Sequence, residues 1–92
     1  MVEDVDKLLG LIELENEIIK KGRQEIAKLK EEKITKRAES WANATGTAKE
    51  KEDFVRAEVA DIDKAIALEE ANIEYCYNTI ELANTKLVYC DE

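Results

Sequence analysis

The chain has 92 residues, which bounds it to one small domain. With 45% hydrophobic and 39% charged residues, three Gly and no Pro, it is too apolar for a disordered chain and too charged for an ordinary compact globule. A net charge of −8 argues against a generic phosphate-backbone binder, and the absence of His excludes His-based triads, His metal sites and His pH switches.

No apolar run approaches the ~18 residues of a membrane span, so no membrane association is expected. The first base, Lys7, follows three acids, so no secretory signal is expected either. One domain over residues 1–92 is predicted, with a first helix over about 2–42, a turn over 43–47 and a second helix over about 48–90. Each helix would be roughly 60 Å long at ~1.5 Å per residue.

In the first helix Val5, Ile12, Ile19 and Ile26 recur every seven residues, with Leu8 and Leu29 in a companion row that also holds Glu15 and Gly22. After Leu29 the apolar positions shift by one, to Ile34, Ala38 and Trp41, which predicts a phase slip. Gly22 reads either as a close helix approach or bend, or as a tolerated weak spot. Trp41 is expected to plug the closed end. Leu9, Leu11, Leu14 and Ile18 fall outside the seam row of this helix.

Asn43-Ala44-Thr45-Gly46-Thr47 is the one cluster of turn-prone residues. Gly46 suits a left-handed helix end, and Thr47 stands three residues before Glu50, the spacing of a capping box. A short break between two long helices predicts an antiparallel pair.

The second helix carries the clearest period. Val59, Ile66, Ile73, Ile80 and Leu87 repeat every seven residues, and Val55, Ile62, Glu69, Cys76, Ala83 and Cys90 form the companion row. The two rows alternate three and four, the heptad seam of a helix packed on helices. Cys76 and Cys90 would be ~21 Å apart along one helix, too far to bridge, and read as reduced core residues, which suits a cytoplasmic setting. Leu68, Tyr75, Leu82 and Tyr89 repeat at seven beside the seam rather than within it.

Charge supports the pairing. Lys20–Arg37 holds eight bases and three acids, and Lys49–Glu70 holds four bases and eight acids. Folding about residue 45 brings these stretches alongside each other. It sets Glu69 opposite Lys21, either as a seam ion pair or as a solvated acid. Residues 1–19 contribute −5 and residues 71–92 contribute −3, so the net charge gathers at the end away from the turn.

The predicted fold is all-α, an antiparallel two-helix coiled-coil hairpin dimerising into a four-helix bundle. The expected seam comprises Ile19, Ile26, Val59, Ile62, Ile66, Ile73, Ile80 and Leu87. An oligomer or partner interface is expected at Leu8, Leu9, Leu11, Ile12, Leu68, Tyr75, Leu82 and Tyr89, because an isolated pair of helices cannot cover this surplus apolar surface. No catalytic residue, cofactor or metal is expected. Carboxylate pairs such as Glu31 and Glu32 point apart on a helix, and neither cysteine has a His to activate it. The expected function is non-catalytic protein binding, through a second copy or a basic protein partner. An acidic DNA mimic is the alternative, and nucleic-acid binding by the basic stretch is disfavoured by the acidic helix facing it.

Leu29-Lys30-Glu31-Glu32-Lys33-Ile34-Thr35-Lys36-Arg37-Ala38-Glu39-Ser40, followed by a turn and an acidic helix, resembles the N-terminal helical hairpin of phage-encoded transcription regulators. Those proteins continue into a sigma-like helix-turn-helix, which is absent here. The resemblance implies a phage or prophage origin, an interaction role as adaptor or inhibitor, and a host-cytoplasmic location. Trp41 near the turn and Tyr77 four residues before Glu81 are similar to small secreted WXG-type hairpins. However, Trp41-Ala42-Asn43 lacks the glycine that defines their turn, which sets that likeness aside.

Overall fold

A computed structural model describes the backbone of residues 2–90 and the side chains of residues 4–89. The fold is all-α, with α1 over Val2–Asn43 and α2 over Ala48–Cys90. Its extents are 67 × 18 × 12 Å and its radius of gyration is 20.4 Å. A compact globule of this length would have a radius of about 12 Å, so the molecule is a rod, as two helices of more than 40 residues laid side by side must be.

The chain reverses between the helices in four residues. The Ala44 amide donates to the Trp41 carbonyl at 3.3 Å, and Gly46 takes a φ of +105°, which a side chain would strain. Thr47 then caps α2, its Oγ1 accepting from the Glu50 amide at 3.2 Å and its carbonyl accepting from the Lys51 amide at 2.9 Å. The Glu50 carboxylate folds back over Gly46 and fills the space a Cβ there would need. Gly46 is therefore required both by its backbone angle and by the capping side chain above it.

Contacts between the helices pair early residues of α1 with late residues of α2. Gly22 lies against Ile73, Lys33 is ion-paired with Asp63 at 2.6 Å, and the Lys51 ammonium sits over the Trp41 ring. The seam is built from the three-four alternation. Ile19, Val55, Val59, Ile66, Cys76 and Ala83 are buried. Val5, Leu8, Ile12, Ile26, Leu29, Ile62, Ile73, Ile80 and Leu87 are half-buried. Cys90 lies outside the described side chains. Among the described residues no large side chain is fully enclosed, because one helix can shield only one side of another.

Gly22 marks a close approach. A Cβ there would stand 3.1 Å from Cγ1 and 3.2 Å from Cδ1 of Ile73, so the helix backbone fills the place of a side chain. Gly10 has open space around it.

Two expectations are corrected and one open alternative is decided. The phase slip after Leu29 does not occur: Lys33 is half-buried and Ser40 buried, while Ile34 is 70% exposed and Ala38 is exposed. A one-residue shift would rotate α1 by ~100° and unseat it from Val55 and Val59. The chain instead lays the aliphatic stem of Lys33 along the seam and meets its ammonium with Asp63. Trp41 is not a plug; it stands exposed beside the turn beneath Lys51. Glu69 is half-buried beside Gly22, with Oε2 3.5 Å from where a Cβ would be, and it has no ion pair with Lys21 among the described residues. Lys21 is exposed, since it lies one residue, ~100° of helix, away from the seam position.

Candidate interaction surface

The two long sides of the rod differ in chemistry. In an antiparallel pair, equivalent positions of the two helices fall on the same side. Positions four residues beyond the isoleucine rows lie on one side, and positions one residue before those rows lie on the other. Arg23, four after Ile19, and Tyr77, four after Ile73, meet accordingly. The Arg23 guanidinium donates to the Tyr77 hydroxyl and lies 5.7 Å from its ring centroid. Nearer the turn the same side carries the Lys33–Asp63 ion pair and a shallow cleft of about 320 Å³ with Arg37, Glu52 and Arg56 on its walls. This side is tied across the helices by polar contacts, and it also exposes Leu9, Ile34 and Val88 as separate apolar residues.

The opposite side is apolar toward the free ends. Leu11 and Ile18 stand one residue before Ile12 and Ile19, with Leu14 on the same strip. From α2 come Leu68, Tyr75, Leu82 and Tyr89, each one residue before Glu69, Cys76, Ala83 or Cys90. Leu68 is 63% exposed, Tyr75 71%, Leu82 57% and Tyr89 70%. Tyr89 borders a hollow whose other walls are Asp4, Lys7, Leu8 and Lys86, which places the start of α1 and the end of α2 together on this side.

The residues expected at the interface are thus split three ways. Leu8 and Ile12 are half-buried in the seam facing α2, and Leu11 is half-buried at its edge. Leu9 is exposed but lies on the side of Arg23 and Tyr77, away from the α2 row. The α2 row of Leu68, Tyr75, Leu82 and Tyr89 is exposed along its length. Leu14 and Ile18, both exposed, extend the apolar strip on α1.

Inside the seam a second polar pair joins the helices. Cys76 is a buried free thiol, and Glu15 is buried beside it. A hydrogen bond with the Glu15 carboxylate, then burial, then the Glu15 charge push the Cys76 thiol up to about 11. At neutral pH it stays a thiol and a poor nucleophile. The sequence marks Glu15 as a break in the α1 row and Cys76 as a member of the α2 row. That the two meet follows only from the pairing register. Arg23 and Tyr77 were likewise missed as a pair, though their matching offsets from Ile19 and Ile73 carry the signal.

Among the described residues no group of three or more Cys, Asp or Glu could hold a metal ion, and no helix is long and apolar enough to cross a membrane. No protein-family profile, curated protein or solved structure matches the chain.

Proposed function

We propose that this protein is a non-catalytic interaction module, an antiparallel coiled-coil hairpin that self-associates as a dimer to form a four-helix bundle. The supporting observation is the row of Leu68, Tyr75, Leu82 and Tyr89, exposed along one side of the rod and covered by neither of the two described helices. Burying a large apolar side chain contributes about 1.5–3 kcal/mol, so four of them together with Leu14 and Ile18 make a strong drive to associate. The apolar strip of this chain is broader than a two-stranded coil needs and matches the wider face of a bundle helix.

The resemblance of residues 29–40 to phage regulator hairpins gives the module its setting, a phage-encoded adaptor or inhibitor acting in the host cytoplasm. The acidic free end adds a rim that steers a basic protein partner by long-range attraction. That concentration of charge also supports a second reading, an acidic DNA mimic that occupies a DNA-binding protein. The mimic reading requires salt-sensitive competition with DNA for a basic target, and competition absent at every salt concentration removes it.

Size-exclusion chromatography with light scattering tests the main proposal. The expected mass is twice the 10.5 kDa of the chain, and replacement of Tyr75, Leu82 and Tyr89 by Ser returns it to the monomer value. A monomeric native chain at micromolar concentration defeats the proposal. An unchanged mass in the triple variant moves the interface elsewhere.

A further inference from the structure

Resting on the self-association proposed above, we infer that the second copy lies antiparallel on the apolar side, staggered so that a two-fold axis passes beside Thr79 and the turn ends point outward. In a two-fold dimer each patch packs on its own copy, so an antiparallel arrangement requires a patch that is complementary to itself when reversed. The α2 row has this property. Reversed about the midpoint between Tyr75 and Leu82, Leu68 meets the partner's Tyr89 and Tyr75 meets the partner's Leu82. Every contact then sets a large ring against a smaller aliphatic chain. A parallel dimer would instead stack tyrosine on tyrosine and leave gaps between the leucines, which close packing disfavours.

The α1 strip is centred at the same height on the rod. Leu11, Leu14 and Ile18 are symmetric about a point beside Glu15, and Glu15 touches Cys76, within a helical turn of Thr79. Two rows on different helices therefore share one centre. An antiparallel two-fold dimer needs that coincidence, and a parallel one does not.

Charge selects the same arrangement. In a parallel dimer the two free ends, which carry the entire −8 of each chain, would lie against each other. In the antiparallel dimer Asp4 reaches the height of the partner's Lys21 and Lys28. Those lysines continue the seven-residue row of Leu14, so they lie on the same side of the rod, and both are exposed. The acidic end of each chain thus faces the start of the other's basic stretch.

Spin labels at Asn78→Cys and, separately, at Thr45→Cys, each with Cys76→Ala and Cys90→Ala, report the geometry. Circular dichroism and light scattering confirm that each labelled protein stays helical and dimeric. Labels at residue 78 are expected within roughly 30 Å of each other, the width of a bundle. Labels at residue 45 are expected on the order of 90 Å apart, from ~30 residues of ~1.5 Å rise on each side of the axis. Short distances at both sites mean a parallel dimer and overturn this inference while self-association stands. A dimer with residue 78 labels far apart uses another surface and also overturns it. A monomeric native chain overturns the parent proposal instead. Charge reversal keeps the native cysteines and gives an independent reading: Lys28→Glu is expected to weaken dimerisation about threefold to tenfold, with Asp4→Lys added to it restoring affinity. Failure of that rescue counts against the antiparallel register.

Discussion

Adding one methyl group at each of two glycines in α1 separates helix propensity from helix packing. Ala is favoured over Gly in a helix interior by about 0.8–1 kcal/mol. Gly10 is exposed and nothing approaches the site of its missing Cβ within 4 Å, so Gly10→Ala collects that propensity without a clash. At Gly22 the new methyl meets Ile73 at 3.1 and 3.2 Å, closer than ordinary van der Waals contact by a few tenths of an ångström. Ile73 is half-buried in the seam, and Cγ1, bonded directly to Cβ, cannot swing away freely. Overpacking of this kind costs about 1–3 kcal/mol, which offsets or exceeds the propensity gain. Gly22→Ala should therefore be neutral or destabilising by up to about 2 kcal/mol, with Gly10→Ala stabilising by about 1 kcal/mol. In a chain of this size the Gly10→Ala gain is a rise in melting temperature of about 4–8 °C. Thermal and urea unfolding followed by circular dichroism at one fixed protein concentration measure both, because association makes stability depend on concentration. If Gly22→Ala stabilises as much as Gly10→Ala, the helices do not approach closely at this position and the pairing register is wrong.

Two more perturbations address the turn and the buried thiol. Gly46→Ala places a side chain at a φ of +105° and into the Glu50 carboxylate; a loss of about 1–2 kcal/mol is expected in urea unfolding, and an unchanged midpoint would refute the turn geometry. Cys76, with its pKa raised to about 11, holds its proton more tightly folded than unfolded. Its contribution to stability is present below the ordinary thiol pKa near 9 and is lost as the pH rises toward about 11. In a Cys90→Ala variant, thiol modification at pH 8 should be slow and should accelerate on unfolding. Removing the carboxylate by Glu15→Gln should hasten it at alkaline pH, and rapid modification of the folded Cys90→Ala protein would refute the buried pairing.

The seam of α2 was legible because its two apolar rows run without a break in phase from Val55 to Leu87, and only Glu69 interrupts them. The second half of α1 misled because periodicity counts apolar residues. Ile34, Ala38 and Trp41 look like a seam, yet α1 keeps its earlier phase and turns Lys33 and Ser40 inward. The long stem of Lys33 and its pairing with Asp63 make that phase tolerable, and neither effect appears in a hydropathy pattern. Of the surface residues, the exposure of Leu68, Tyr75, Leu82 and Tyr89 follows from their offset of one residue from the seam. Leu8 and Ile12 sit in the seam rows of the sequence yet were also expected at the interface; α2 half-covers them, and the exposed positions on α1 are Leu14 and Ile18, outside those rows.

By itself the sequence determined that the chain is helical, where it turns and which stripe of α2 is covered, since these depend on local propensity, capping chemistry and the 3.6-residue period. Only the tertiary structure decided how the helices match in height, that Gly22 admits Ile73, and that Glu15 reaches Cys76. It also decided that one side of the rod is tied by Arg23 and Tyr77 while the other presents uncovered tyrosine and leucine. Those outcomes depend on the rotation and sliding of one helix against another. Many weak contacts along the whole seam set that relation together, and no single stretch of sequence encodes it.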